Sequence, residues 1–245
     1  MRQTQFARRL DGVRIAYDSI PGEQPIMLVH GFASSGTATW GATGWVRFLT
    51  ESGRGVIVPD LRGHGRSDSP HAAADYAPRQ MAADLVLVLD DLELGQVDVV
   101  AYSLGCRVVA ALTQLAPERV RRVVLGGAGP IEHFATLDPA ALEQYIRDGS
   151  VPSDPTITAV VGPALAGGAD RLSILACVQG MTGSRLDVPR TIPQLYVCGG
   201  ADPIPAGAED LARRTGAEYL ELPGRTHINA LGAPEFKPAA LAFLG

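Results

Sequence analysis

Lysine is all but missing from this chain. Lys237 is the only one among 21 Lys and Arg residues, so every other cation is a guanidinium, which stays charged and forms no Schiff base. Schiff-base chemistry and a Ser-Lys dyad are therefore excluded unless Lys237, in the predicted C-terminal helix, is recruited. Cysteine is scarce too. Cys106, Cys177 and Cys198 are odd in number, widely spaced and without a Cys-x-x-Cys pair, and read as buried thiols in a reducing compartment. No His-Glu-x-x-His, no Cys/His cluster and no carboxylates at ligand spacing occur, so no metal is expected. Gly126-Gly127-Ala128-Gly129 follows an apolar run but lacks the G-x-G-x-x-G spacing of a phosphate loop, and no cofactor is expected. No apolar run reaches membrane-spanning length, and Met1–Arg9 lacks the apolar core of a signal peptide. A net charge of −5 offers nothing to nucleic acid or an anionic membrane. The expectation is a cytoplasmic protein whose partner is a small molecule, with its oligomeric state left open.

What is present describes one globular α/β domain. At 245 residues and 46% hydrophobic, the chain is long enough to bury a large core and too apolar to be disordered. Residues 3–10 and 13–20 read as a hairpin turning at Asp11-Gly12. Strands follow near 26–29, 56–60, 97–102, 121–126, 193–198 and 217–222, alternating with helices near 44–51, 79–93, 104–116, 206–215 and 234–243. Near-continuous Val, Ile and Leu in the strands predicts a mostly parallel eight-stranded sheet covered by helices on both faces. About 60 residues, 130–190, break the alternation and are too long for a structureless loop. Asp138-Pro139 and Asp154-Pro155 are helix starts and Arg171–Gln179 has helical spacing, so this stretch reads as a small helical cap over the sheet's carboxyl edge. Leu137, Ile146, Val160, Val161, Leu165, Leu175, Cys177 and Met181 make it apolar, and favour a small, mostly apolar substrate.

The chemistry centres on Ala101-Tyr102-Ser103-Leu104-Gly105. An apolar strand feeds into it and a helix with Leu104, Val108, Leu112 and Leu115 on one stripe leaves it. A serine between small residues at such a strand-to-helix turn reads as a nucleophile elbow. A hydroxyl needs a base within hydrogen-bond reach. His227 lies in a loop after the final predicted strand, whereas His64 and His71 sit in polar loops and His133 in the cap. Asp202, after the apolar run Leu195–Cys198, is a candidate partner for that base, with Glu132 as the alternative acid. Asp60, Asp68 and Arg62 are assigned to structure.

Ile26–Phe32, Val56–Asp68, the Ser103 pentapeptide, Gly199–Pro203 and Gly224–His227 together resemble the α/β-hydrolase superfamily, in order across some 200 residues. The order Ser, Asp, His is the one that fold uses. The resemblance implies a catalytic triad of Ser103, Asp202 and His227. It also implies an oxyanion hole from the backbone N–H groups of Phe32 and Leu104, with His30 bracing the loop. Tyr102, Trp40 and His133 are candidate substrate contacts. Serine at position 103 is unlike the aspartate of the superfamily's haloalkane dehalogenases and epoxide hydrolases, and no His-Gly-Gly-Gly run is present. The implied activity is hydrolysis of a small, mostly apolar carboxylic ester, thioester, lactone or C–C bond through an acyl-enzyme. The alternative is a small-molecule receptor on the same fold with slow or single-turnover hydrolysis.

Overall fold

The computed structural model describes residues 4–245, so residue 3 of the expected hairpin lies outside the described residues. In chain order the elements are β1 (Gln5–Arg8), β2 (Arg14–Ile20), β3 (Glu23–Val29), α1 (Trp45–Glu51), β4 (Arg54–Pro59), α2 (Pro78–Asp91), β5 (Val97–Tyr102), α3 (Leu104–Leu115), β6 (Val120–Gly126), α4 (Pro139–Asp148), α5 (Pro155–Ala166), α6 (Arg171–Met181), β7 (Gln194–Gly199), α7 (Ala208–Thr215), β8 (Glu218–Leu222) and α8 (Phe236–Leu244). All eight strands join one sheet in the order β1-β2-β4-β3-β5-β6-β7-β8. β2 runs antiparallel to both its neighbours, β1 and β4, and the six strands from β4 to β8 in that order pair in parallel, the α/β architecture read from the sequence.

The strands are apolar because both faces are covered. Every residue of β4, β5 and β7 is buried. Alternate side chains enter opposite layers. Met27, Val29, Val99 and Val123 meet Leu85, Val108 and Leu112 of α2 and α3, while Ile26, Leu28, Val100 and Val124 meet Trp45, Leu49 and Phe236 of α1 and α8. The stripe Met81, Leu85, Val88 and Leu89 of α2 is fully buried, as its spacing requires.

Three helices, α4 to α6, fill the stretch between β6 and β7. Asp138, Asp154 and Asp170 cap them, each accepting backbone N–H bonds, and proline opens the first two. Ile146, Ile157, Val161, Ile174 and Val178 form their own core, which packs on Phe32 and Ala33 just past β3. That contact sets the insertion over the carboxyl edge of the sheet. α6 joins the two cores: Ile174 and Val178 belong to the insertion, while Cys177 and Met181, expected with the cap residues, pack in the main core.

The turn after β4 is fastened by a buried ion pair. Arg62 Nε and Nη2 each lie 2.6 Å from an oxygen of Asp84 on α2, with side-chain exposures of 1% and 2%, and Arg62 Nη1 donates to Asp75 O at 2.8 Å. Removing one partner strands the other charge. Asp84→Asn should therefore lower the unfolding free energy by about 3–5 kcal/mol in urea titration, and a loss under about 1 kcal/mol would contradict this account.

Candidate active site

Ser103 stands between the last residue of β5 and the first of α3 with φ 53° and ψ −120°, a region that non-glycine residues rarely occupy. Such a conformation costs about 1–3 kcal/mol and persists because the surroundings over-determine it. The Ser103 N–H donates to Gly126 O at 2.8 Å, and its carbonyl accepts from Cys106 N–H at 3.0 Å. Gly105 is needed one step on. A Cβ there would lie 2.5 Å from Val29 O and 2.6 Å from His30 O, so only glycine lets α3 start against the end of β3. Gly31 faces the serine itself, where an added Cβ would come 3.1 Å from Ser103 Cβ. Ala101, the small residue two places before the serine, is fully buried in the strand.

His227 and Asp202 come from the loops after β8 and β7. Nδ1 of His227 is 2.7 Å from Oδ2 of Asp202, whose side chain is fully buried and whose Oδ1 accepts the Ile204 N–H at 3.0 Å. A carboxylate against Nδ1 holds the proton there and leaves Nε2 as the acceptor. Tyr102 supports the same histidine, its hydroxyl donating to His227 O at 2.6 Å and its ring 5.2 Å from the imidazole. Ser103 and His227 are thereby linked through one residue. Among the described residues, neither the Ser103 hydroxyl nor His227 Nε2 has a hydrogen-bond partner; such contacts are often long in unliganded sites.

The loop after β3 is set by a neutral imidazole. His30 Nδ1 donates to Gly31 O at 2.7 Å, and its Nε2 accepts the Leu61 N–H at 3.0 Å. Gly31 O and Phe32 N–H belong to one trans peptide, so holding the carbonyl turns the N–H to the opposite side. Neither the Phe32 nor the Leu104 N–H has an acceptor among the described residues. Asp60 ties the far end of the loop, accepting from Gly36 N–H at 2.8 Å and from Arg66 Nε at 2.8 Å. Burial works to raise its pKa, but the hydrogen bonds from Arg66 and Gly36 outweigh it and hold the carboxyl below its usual range.

The structure places two other candidate substrate contacts, Trp40 and His133, against protein partners. Trp40 is fully buried, edge-on to Trp45 at 5.4 Å, because the helical turn Thr37–Gly41 rotates it into the layer beneath α1 and α8. His133 is 3.0 Å from Ile204 O through Nε2, so its ring fastens the loop of Asp202. Tyr102 is 4% exposed and serves His227 as described. Glu132, the alternative acid, spends its carboxylate on the backbone N–H groups of Phe134, Ala135 and Gly183. His64 bonds Arg62 O through Nδ1, and the three cysteines are free and buried. Phe134, edge-on to Phe32 at 5.1 Å, was not anticipated, since an aromatic in an irregular segment carries no periodic signal.

Comparison with known proteins agrees with the architecture. A sequence profile of the α/β hydrolase fold matches residues 24–161. The chain is 31% identical to a putative non-heme chloroperoxidase of Synechocystis sp. over 95% of both chains. It is 38% identical to a 2-hydroxymuconate semialdehyde hydrolase of a Pseudomonas sp. over 44% of this chain and 37% of that protein. Among solved structures, a thermophilic esterase from Thermogutta terrifontis superposes with TM-score 0.79 at 23% identity, covering 99% of this chain and 98% of that one.

Two stability effects follow. Ser103→Gly should relieve the backbone strain and raise the unfolding free energy by about 1–2 kcal/mol, while Ser103→Ala should not; equal stabilities of the two variants would contradict the strain. Burial, with the neighbouring His64, pushes His30 from 6.5 down to about 4, and burial lowers His64 as well. The unfolded chain protonates His30 below 6.5 and the folded chain does not until about 4, so stability falls as pH drops through that window, and the lowered His64 acts in the same direction. Denaturation at pH 7.5 and 4.5 should show a loss of about 3 kcal/mol from His30, and a flat profile would contradict the neutral, buried imidazoles.

Proposed function

The chain belongs to the α/β hydrolase fold family, and within it we propose a serine hydrolase that cleaves small, mostly apolar carboxylic esters through an acyl-enzyme at Ser103. The observation that carries this reading is the 2.7 Å contact between His227 Nδ1 and the buried Asp202 carboxylate, linked through Tyr102 to a strained serine. In this scheme His227 Nε2 takes the Ser103 proton as Oγ attacks the acyl carbonyl, and Asp202 stabilises the imidazolium. The free N–H groups of Phe32 and Leu104 receive the oxyanion. His227 then protonates the departing alcohol, and water, deprotonated by the same histidine, releases the acid.

An uncharged ester suits the surroundings better than an anionic substrate such as the muconate in one relative's name. Arg62 is held by Asp84, Arg66 by Asp60 and Asp18, and Arg107 by main-chain carbonyls. Phe32, Phe134 and Leu137 give the neighbouring insertion an apolar underside.

Steady-state hydrolysis of p-nitrophenyl esters of rising acyl length tests the proposal. The wild type should turn over many times with a preference for short chains, and Ser103→Ala should lose about 10⁴-fold or more in kcat. Full activity in the variant would refute the nucleophile. A single acylation of Ser103 without turnover would refute the enzyme in favour of a receptor.

A further inference from the structure

Arg107 lies one turn beyond Ser103 on α3 and is only 7% exposed. A buried guanidinium normally requires an anion against it. Here its hydrogen bonds go to main-chain carbonyls alone: Nη1 to Ser184 O at 2.7 Å, and Nη2 to Gly129 O at 3.0 Å and to Ile131 O. Gly129 and Ile131 lie where the chain leaves β6 for the helical insertion, and Ser184 lies where it returns from α6. One side chain therefore grips both roots of the insertion. A guanidinium suits this task because its planar fork reaches carbonyls on two segments at once, which a single ammonium does less well.

A second brace ties the roots to each other. Glu132 Oε2 accepts the Gly183 N–H at 2.8 Å, and Oε1 accepts Phe134 N–H at 2.7 Å. The entry root also fits closely against the loop after Asp202: a Cβ on Gly129 would lie 2.7 Å from Pro205 O. The core of the insertion rests in turn on Phe32 and Ala33. The roots and the insertion they carry thus touch the helix of Ser103, the loop after Asp202 and the loop of Phe32.

We propose that Arg107 is a positioning residue that clamps both roots of the insertion to the helix of Ser103, fixing how the insertion seats over the site and so how tightly substrate is held. The kinetic part of this inference rests on the serine-hydrolase reading; the structural part does not.

Arg107→Met and Arg107→Lys, examined by ester kinetics and by backbone hydrogen exchange, test it. The methionine variant should raise KM by about tenfold with kcat within about threefold, and the lysine variant should fall between it and wild type. Exchange across residues 139–181 should accelerate while β5 and β6 stay protected. A folded methionine variant with unchanged KM and unchanged exchange overturns the clamp, as does a loss confined to kcat. Should that variant fail to fold, Glu132→Ala decides: faster exchange at 182–186 with raised KM supports the brace, and no change in either overturns it. If the wild type itself hydrolyses no ester, the serine-hydrolase reading fails, and exchange alone still judges the clamp.

Discussion

Everything at the site depends on how closely α3 is allowed to begin against the end of β3. At Gly105 the approach leaves no room for a methyl group against the carbonyls of Val29 and His30. That contact forces the intervening Ser103 into a conformation that side chains avoid, and brings Gly31 against it. The loop carrying the Phe32 N–H and the turn carrying the Leu104 N–H are thus neighbours by steric necessity. The strain stored there is repaid by the sheet, whose central strands are buried on both faces.

Around this point, polar groups are held by partners rather than left to solvent. His30 stays neutral because it is buried beside His64, and its two nitrogens, one donating and one accepting, orient a peptide unit. Asp60 and Asp84 fix the neighbouring turns, each against an arginine. Arg107 departs from the pattern in hydrogen-bonding only to carbonyls, with Glu132 acting on it through charge alone, and those carbonyls belong to the two ends of the helical insertion. The near-absence of lysine fits this use, since planar, many-donor guanidinium groups bridge backbone segments that a point charge does not.

Much of this was legible in the chain. The strands announced themselves as continuous Val and Ile runs, and the Asp-Pro pairs marked the insertion's helices because capping chemistry is local. Ser103 and Asp202 stood out as candidates because they follow apolar runs, and His227 because it lies in a loop after the final strand, each within a motif that resembles the α/β hydrolases. What stayed hidden depends on side chains meeting across long sequence distances. Trp40 was a candidate substrate contact, and one irregular helical turn packs it into the layer of Trp45 and Phe236. His133 and Arg107 meet their carbonyl partners only in the folded chain, and no spacing in the sequence encodes those contacts.

Reaction of the purified protein with a fluorophosphonate, followed by peptide mapping, addresses the central claim most directly. The account predicts one adduct per chain, on Ser103, formed rapidly in the wild type and slowly in Asp202→Asn, where the imidazole loses its carboxylate. An adduct on another residue, or none at Ser103, would contradict it.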